Sequence, residues 1–267
     1  MKQDSGFTFQ TGQATDVGKR RKINEDSLLA RPERGLWVVA DGMGGHSAGD
    51  FASQTVVAAL DRVDGADTGA ALLAQVSDSI AAANRRIHQE ARDLQTDTIG
   101  ATVVVLMAHG SEFTCLWSGD SRVYQLRGGK LTQTTRDHTE VQMLLDAGAI
   151  SPEQAANWPR RNVITHAIGV DETPEFDVVT GTLEADDTFI LCSDGLTEHL
   201  SDYEIAIYAD TLPPQDACDA MVALTLDRGA KDNVTVVVMR CLPGEELEPV
   251  TMDDMLGLQS DIREDEG

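Results

Sequence analysis

The chain has 267 residues, 41% of them hydrophobic, enough for one sizeable core, and a formal charge of −24 that repels a nucleic-acid backbone over most of its surface. Its longest apolar runs, such as residues 101–108, fall far short of a membrane span, and the opening MKQDSGFTFQ does not read as a leader, so a cytoplasmic protein is expected. Cys115, Cys192, Cys218 and Cys241 lie far apart with no C-x-x-C pair, which points away from zinc or a disulfide framework and towards buried thiols.

In chain order, residues 7–10 form a first β-type run. Lys19-Arg20-Arg21-Lys22 follows, the one dense basic patch near an acidic motif, Asn24-Glu25-Asp26. It reads as a solvated loop from composition alone, or as the clamp an anionic substrate needs. Residues 36–40 are a buried strand that delivers Asp41 into a glycine-rich turn, Gly42-Met43-Gly44-Gly45-His46. Ala48, Phe51, Ala52, Val56 and Leu60, then Leu73, Val76, Ile80, Ala83 and Ile87, keep helical spacing. Strand-like runs return at 102–107, 113–117 and 122–126, with Gly119-Asp120-Ser121 between the last two.

Residues 137–165 read as a helical flap, with Val141, Leu144, Leu145 and Ile150 on one short helix and Ser151-Pro152-Glu153-Gln154 as the capped start of a second. A strand at 188–192 leads to Ser193-Asp194-Gly195, and Asp232-Asn233 opens the last run, 234–239. The tail, 243–267, holds nine acids against Arg263 and reads as a disordered extension of net charge −8 beyond a domain at 1–242. Strands arrive in hairpin-like runs and helices in pairs, so an α+β layered domain is expected rather than a parallel α/β sheet.

Asp41, Asp120, Asp194 and Asp232 each stand at a strand end. Converging carboxylates need protons or cations, and oxygen donors without cysteine or a histidine pair suit a hard cation, magnesium or manganese. Two such ions, about 3.5–4 Å apart, can activate a bridging water and hold a phosphoryl group, so phosphate-ester hydrolysis fits.

Seven pieces in order resemble the type 2C metal-dependent protein phosphatases, the PPM family, in its bacterial branch. They are Arg21-x-x-Asn24-Glu25-Asp26, Asp41-Gly42-Met43-Gly44-Gly45-His46, Thr98-Ile99-Gly100-Ala101-Thr102, Gly119-Asp120-Ser121-Arg122, Asp137-His138-Thr139, Ser193-Asp194-Gly195-Leu196 and Asp232-Asn233-Val234-Thr235. The resemblance implies a four-layer α-β-β-α sandwich, two antiparallel sheets flanked by helices, that hydrolyses phosphoserine and phosphothreonine in proteins. It implies two core Mn2+ or Mg2+ ions and a weaker third: Asp41 bridging, the Gly42 carbonyl on the second, Asp194 and Asp232 on the first, and Asp120 with Asp194 on the third. Glu25 and Asp26 would hold metal-bound waters, and Arg21 the substrate phosphate. The implied partners are a bacterial serine/threonine kinase and its substrates, with no nucleic acid and no membrane, and the protein is expected to be a monomer. A catalytically silent phosphatase fold that binds a partner is the alternative. Met43 stands where some members carry a histidine that serves as a proton donor, and His46, at a helix start, reads as a capping or packing residue.

Overall fold

A computed structural model describes residues 6–44, 48–96 and 98–244; His46 and residues 245–267 of the tail lie outside them. Strand β3 (Leu36–Gly44) shows how the layers arise. Its alternate residues Leu36, Val38 and Ala40 face helices α1 (Ala48–Leu60) and α2 (Gly69–Asp93), while Trp37 and Val39 face the opposite way, into a core between two sheets. Both faces are covered, which is why the strand reads as a continuous apolar run. Trp37 is fully buried, stacks edge-on with Phe9 and donates from Nε1 to Thr11 Oγ1 at 3.0 Å. Truncating it to alanine costs about 3–5 kcal/mol.

Two antiparallel sheets result. One has the order β1-β11-β10-β7-β8, from β1 (Phe7–Asp16), β7 (Arg122–Arg127), β8 (Lys130–Gln133), β10 (Thr188–Cys192) and β11 (Val234–Pro243). The other runs β2-β3-β5-β6-β9, from β2 (Asp26–Arg31), β3, β5 (Val103–His109), β6 (Glu112–Ser118) and β9 (Asp177–Thr182), with β4 (Ile99–Ala101) paired to β3. Helices α1 and α2 cover the second sheet. Helices α6 (Asp202–Thr211) and α7 (Pro214–Asp227) cover the first, packing Ile205, Ala209, Cys218 and Met221 against Val234, Val236 and Val238. This is the expected α-β-β-α sandwich, and all four cysteines are buried.

Several elements differ from the expectation. Strand β3 runs through Asp41 to Gly44 instead of turning at Asp41, because β4 pairs with it (Gly42↔Ala101, Met43↔Gly100, Gly44↔Ile99). Helix α3 (Glu140–Asp146) stops before Ile150, since Gly148 takes a left-handed φ of 63°. Helix α4 (Pro152–Ala156) starts on the expected Ser151–Gln154 capping box. Helices α6 and α7 carried no clear periodic signal, although Ser201 and Glu204 form a second capping box and Pro214 opens α7.

Candidate active site

Asp26 and Asp41 are direct register partners across β2 and β3. Asp26 shares a face with Leu28 and Ala30, and Asp41 with Trp37 and Val39, so period-two alternation aims both carboxylates into the gap between the sheets at its edge. Like charges directly opposite on a sheet are destabilising, so folding alone does not account for the pair. Thr102, from the 98–102 motif, fixes Asp41: its Oγ1 accepts from the Asp41 amide at 3.2 Å and its amide donates to the Asp41 carbonyl at 2.8 Å. Gly42 is needed for close approach, since a side chain there would run into the Gly49 carbonyl.

The first sheet supplies the other acids. Asp194 opens the short helix α5 (Asp194–Thr197) after β10, and Asp232 stands just before β11. Asp120 sits in the link from β6 to β7, where the chain crosses from one sheet to the other. Ser193 ties the sheets together: its Oγ donates to Asp26 Oδ2 at 2.8 Å and accepts from the Thr235 amide at 3.0 Å. Asn233 does the same for the loop ahead of β2, accepting from the Glu25 amide at 2.8 Å and donating to the Val17 and Ile23 carbonyls at 2.9 and 3.0 Å. At the rim, Arg21 Nη2 donates to Asp232 Oδ2 at 2.6 Å.

Burial, followed by the charges of Asp26, Asp194, Asp120 and Asp232, raises the Asp41 carboxyl well above its usual range. Burial and then Asp120, Glu198, Asp232 and Asp26 do the same to Asp194. Asp26 and Asp120 are pushed up to about 6, chiefly by burial and then by Asp232 and Asp137 respectively. Burial also raises Glu25. The sequence-predicted acids Glu25, Asp26, Asp41, Asp120, Asp194 and Asp232 thus share one electrostatic neighbourhood, with Arg21 in it and Gly42 beside Asp41.

Among the described residues, no three His, Cys, Asp or Glu side chains already form a cage that could hold a metal ion. Yet the acids here are mutually repelling oxygen donors, and Asp26 Oδ1 is buried without a hydrogen-bond partner. Hard divalent cations are the counter-charge such a donor set fits. Phosphate is the substrate group that Arg21 suits.

The family described as Protein phosphatase 2C matches residues 18–233, a span that contains every one of these side chains. The chain belongs to that family. It is 38% identical over 225 residues to the serine/threonine protein phosphatase PstP of Mycobacterium tuberculosis, covering 84% of this chain but only 43% of that protein. Among solved structures, PppA, a key regulatory component of T6SS in Pseudomonas aeruginosa, superposes with a TM-score of 0.82 at 41% identity, covering 88% of this chain and 98% of that one. The catalytic domain of PstP in complex with 2 manganese ions superposes at 0.80, with 35% identity over 88% of this chain and 99% of that one.

Beside these acids the segment expected to form a flap, 137–165, closes on itself. Glu140 N donates to Val163 O, Thr165 N donates to His138 O, and His138 N reaches Gly119 O, next to Asp120. The motif residue Asp137 takes three hydrogen bonds from Arg122 Nε and Nη2 (2.6–3.1 Å) and so anchors the start of this segment to β7. A cavity of about 420 Å³ lies between flap and body, with Asp120, Asp194, Val141, Leu145, Arg161 and Asn162 in its walls. Met43 packs at Gly100. The residues that sequence reasoning missed are Asn233, Ser193 and Thr102. All three lie inside quoted motifs, but their partners are distant in sequence and only the folded sheets bring them together.

Proposed function

We propose that the protein hydrolyses phosphoserine and phosphothreonine esters in phosphorylated proteins, with Mn2+ or Mg2+ held by its carboxylates. The observation that carries this reading is the convergence of six acids from both sheets beside Arg21, one of them with an unpartnered buried oxygen. Asp41, the Gly42 carbonyl, Asp194 and Asp232 would hold the two core cations, and Asp120 with Asp194 a weaker third. When bound, the cations polarise a phosphoryl oxygen and lower the pKa of a coordinated water.

The chain's own groups do the rest. Arg21 grips two phosphate oxygens with its forked N–H groups and so orients the ester. Its guanidinium is already held at the site by Asp232. Asp26 offers Oδ1 as an acceptor for a water, with Ser193 fixing its other oxygen, and Glu25 provides a second water anchor. A thioether has no proton to give, so Met43 does not protonate the leaving alkoxide.

The catalytic unit would be 1–242 with its flap at 137–165, working as a cytoplasmic monomer on the substrates of a serine/threonine kinase. No helix among the described residues is long and apolar enough to cross a membrane. The test uses purified protein with millimolar manganese, an aryl phosphate and a phosphothreonine peptide. Phosphate release from both, lost in Asp194→Asn, is expected. No release from either, with Asp194→Asn indistinguishable from the parent, would refute the reading, and the absence of any manganese binding heat would favour a silent binding protein.

A further inference from the structure

The turn between β1 and β2 exposes Lys19, Arg20, Arg21, Lys22 and Ile23 in a row, and Lys231 is exposed on the neighbouring loop. The two loops form one surface, because Lys19 N donates to the Ala230 carbonyl at 2.9 Å and Asn233 Nδ2 holds the carbonyls of Val17 and Ile23. The turn is shaped from within by Asp16 Oδ1, which accepts from the Gly18 amide at 2.8 Å. Of the five cations, only Arg21 is in an ion pair among the described residues.

Cations on the other side of the site are already engaged. Arg122 pairs with Asp137 at 2.6 Å, Arg160 with Glu140 at 2.8 Å and Arg161 with Glu198 at 4.0 Å. A chain of net charge −24 repels an acidic peptide. Unpaired cations around Arg21 reverse that sign locally. Screening limits their reach to about 8–10 Å, which covers the two or three residues of extended peptide on either side of a phosphoamino acid gripped by Arg21.

We propose that Lys19, Arg20, Lys22 and Lys231 form a selecting rim that favours phosphopeptides with Asp or Glu beside the phosphorylated residue. The rim rests on the phosphatase reading above and names its substrate class. It acts on binding, because none of these side chains belongs to the reacting site.

The full chain with manganese is assayed on an aryl phosphate and on three phosphothreonine peptides that share a core and differ in acidic, neutral or basic flanks. Two or three exposed ion pairs amount to about a tenfold advantage in kcat/KM for the acidic flanks, carried by KM. That advantage shrinks in high salt. The triple variant Lys19→Gln/Arg20→Gln/Lys22→Gln abolishes it, and Lys19→Glu/Arg20→Glu/Lys22→Glu reverses it towards basic flanks. Aryl phosphate turnover stays within about twofold in both, which shows that they fold. Equal kcat/KM on the three peptides overturns the rim, as does an acidic preference that survives substitution. Absence of aryl phosphate turnover in the unsubstituted protein overturns the phosphatase reading and the rim with it.

Discussion

Replacing Asn233 with alanine removes three hydrogen bonds at once from a side chain that is only 4% exposed. Each such bond is worth about 0.5–1.5 kcal/mol net, so the loss is about 2–4 kcal/mol. For a domain of this size each kcal/mol moves Tm by about 2–4 °C, so the midpoint falls by about 5–15 °C. The freed segment, 17–25, carries Arg21 and Glu25, whereas Asp41 and Asp194 are held by other elements. The KM for an aryl phosphate therefore rises several-fold while manganese binding persists. Asn233→Asp keeps the acceptor for the Glu25 amide but loses both donors and sets a carboxylate beside Asp232, so it falls further than alanine. Denaturant unfolding and steady-state kinetics measure both effects. A stability loss below about 0.5 kcal/mol, or an unchanged KM, would refute the claim that Asn233 positions the basic loop.

Asp41→Asn relieves repulsion from Asp26, Asp194, Asp120 and Asp232. In chelator this variant should unfold at a higher temperature than the parent, because a neutral amide carries neither the burial cost of the charge nor that repulsion. It should lose turnover and manganese heat together, and equal or lower stability would show that the repulsion is absent. The pH dependence of the chelated protein follows from the acids pushed up to about 6, Asp26 and Asp120. Between their ordinary range and 6 the folded chain binds more protons than the unfolded one, so these groups lower stability as pH rises through that window. His138, whose pKa is lowered by burial, acts in the opposite sense. Comparing the parent with Asp120→Asn removes that common contribution: the parent's stability should fall relative to the variant as pH rises from about 4.5 to 6.5, and parallel curves would contradict the assignment.

The sequence was most legible where both faces of a strand are buried. Residues 36–40, 188–192 and 234–239 announced themselves as apolar runs, and the acids at their ends followed. The spacing of Ala48, Ala52, Val56 and Leu60 identified α1 because one face meets a sheet while the other meets solvent. Strands β2, β8 and β9 were missed, being short or half-exposed with mixed residues. Helices α6 and α7 were hidden for a different reason: Ala209, Ala217, Cys218 and Thr225 share their buried sides with Ile205, Met221 and Val222, which weakens the alternation of polarity. The carboxylates could be named from motifs, but not the fact that Asp26 and Asp41 face each other, which depends on the register of β2 against β3. Nor could Ser193 be assigned its bond to Asp26, which joins residues 167 positions apart.

The pairing of β1 with β11, from Phe7↔Pro243 to Asp16↔Val234, joins nearly opposite ends of the described chain. Contacts of such long sequence separation form late and slowly. Asp232 and Asn233 immediately precede β11, and Arg21 and Glu25 follow β1, so the seam that closes the sheet also assembles the rim of the cleft. During synthesis, a chain still lacking β11 would hold Asp26 and Asp41 without Asp232 and Asn233. Asp232 and Asn233 would therefore reach Arg21, Glu25 and Asp26 in one step, when β11 docks against β1, and a fragment ending before β11 would hold an incomplete cluster.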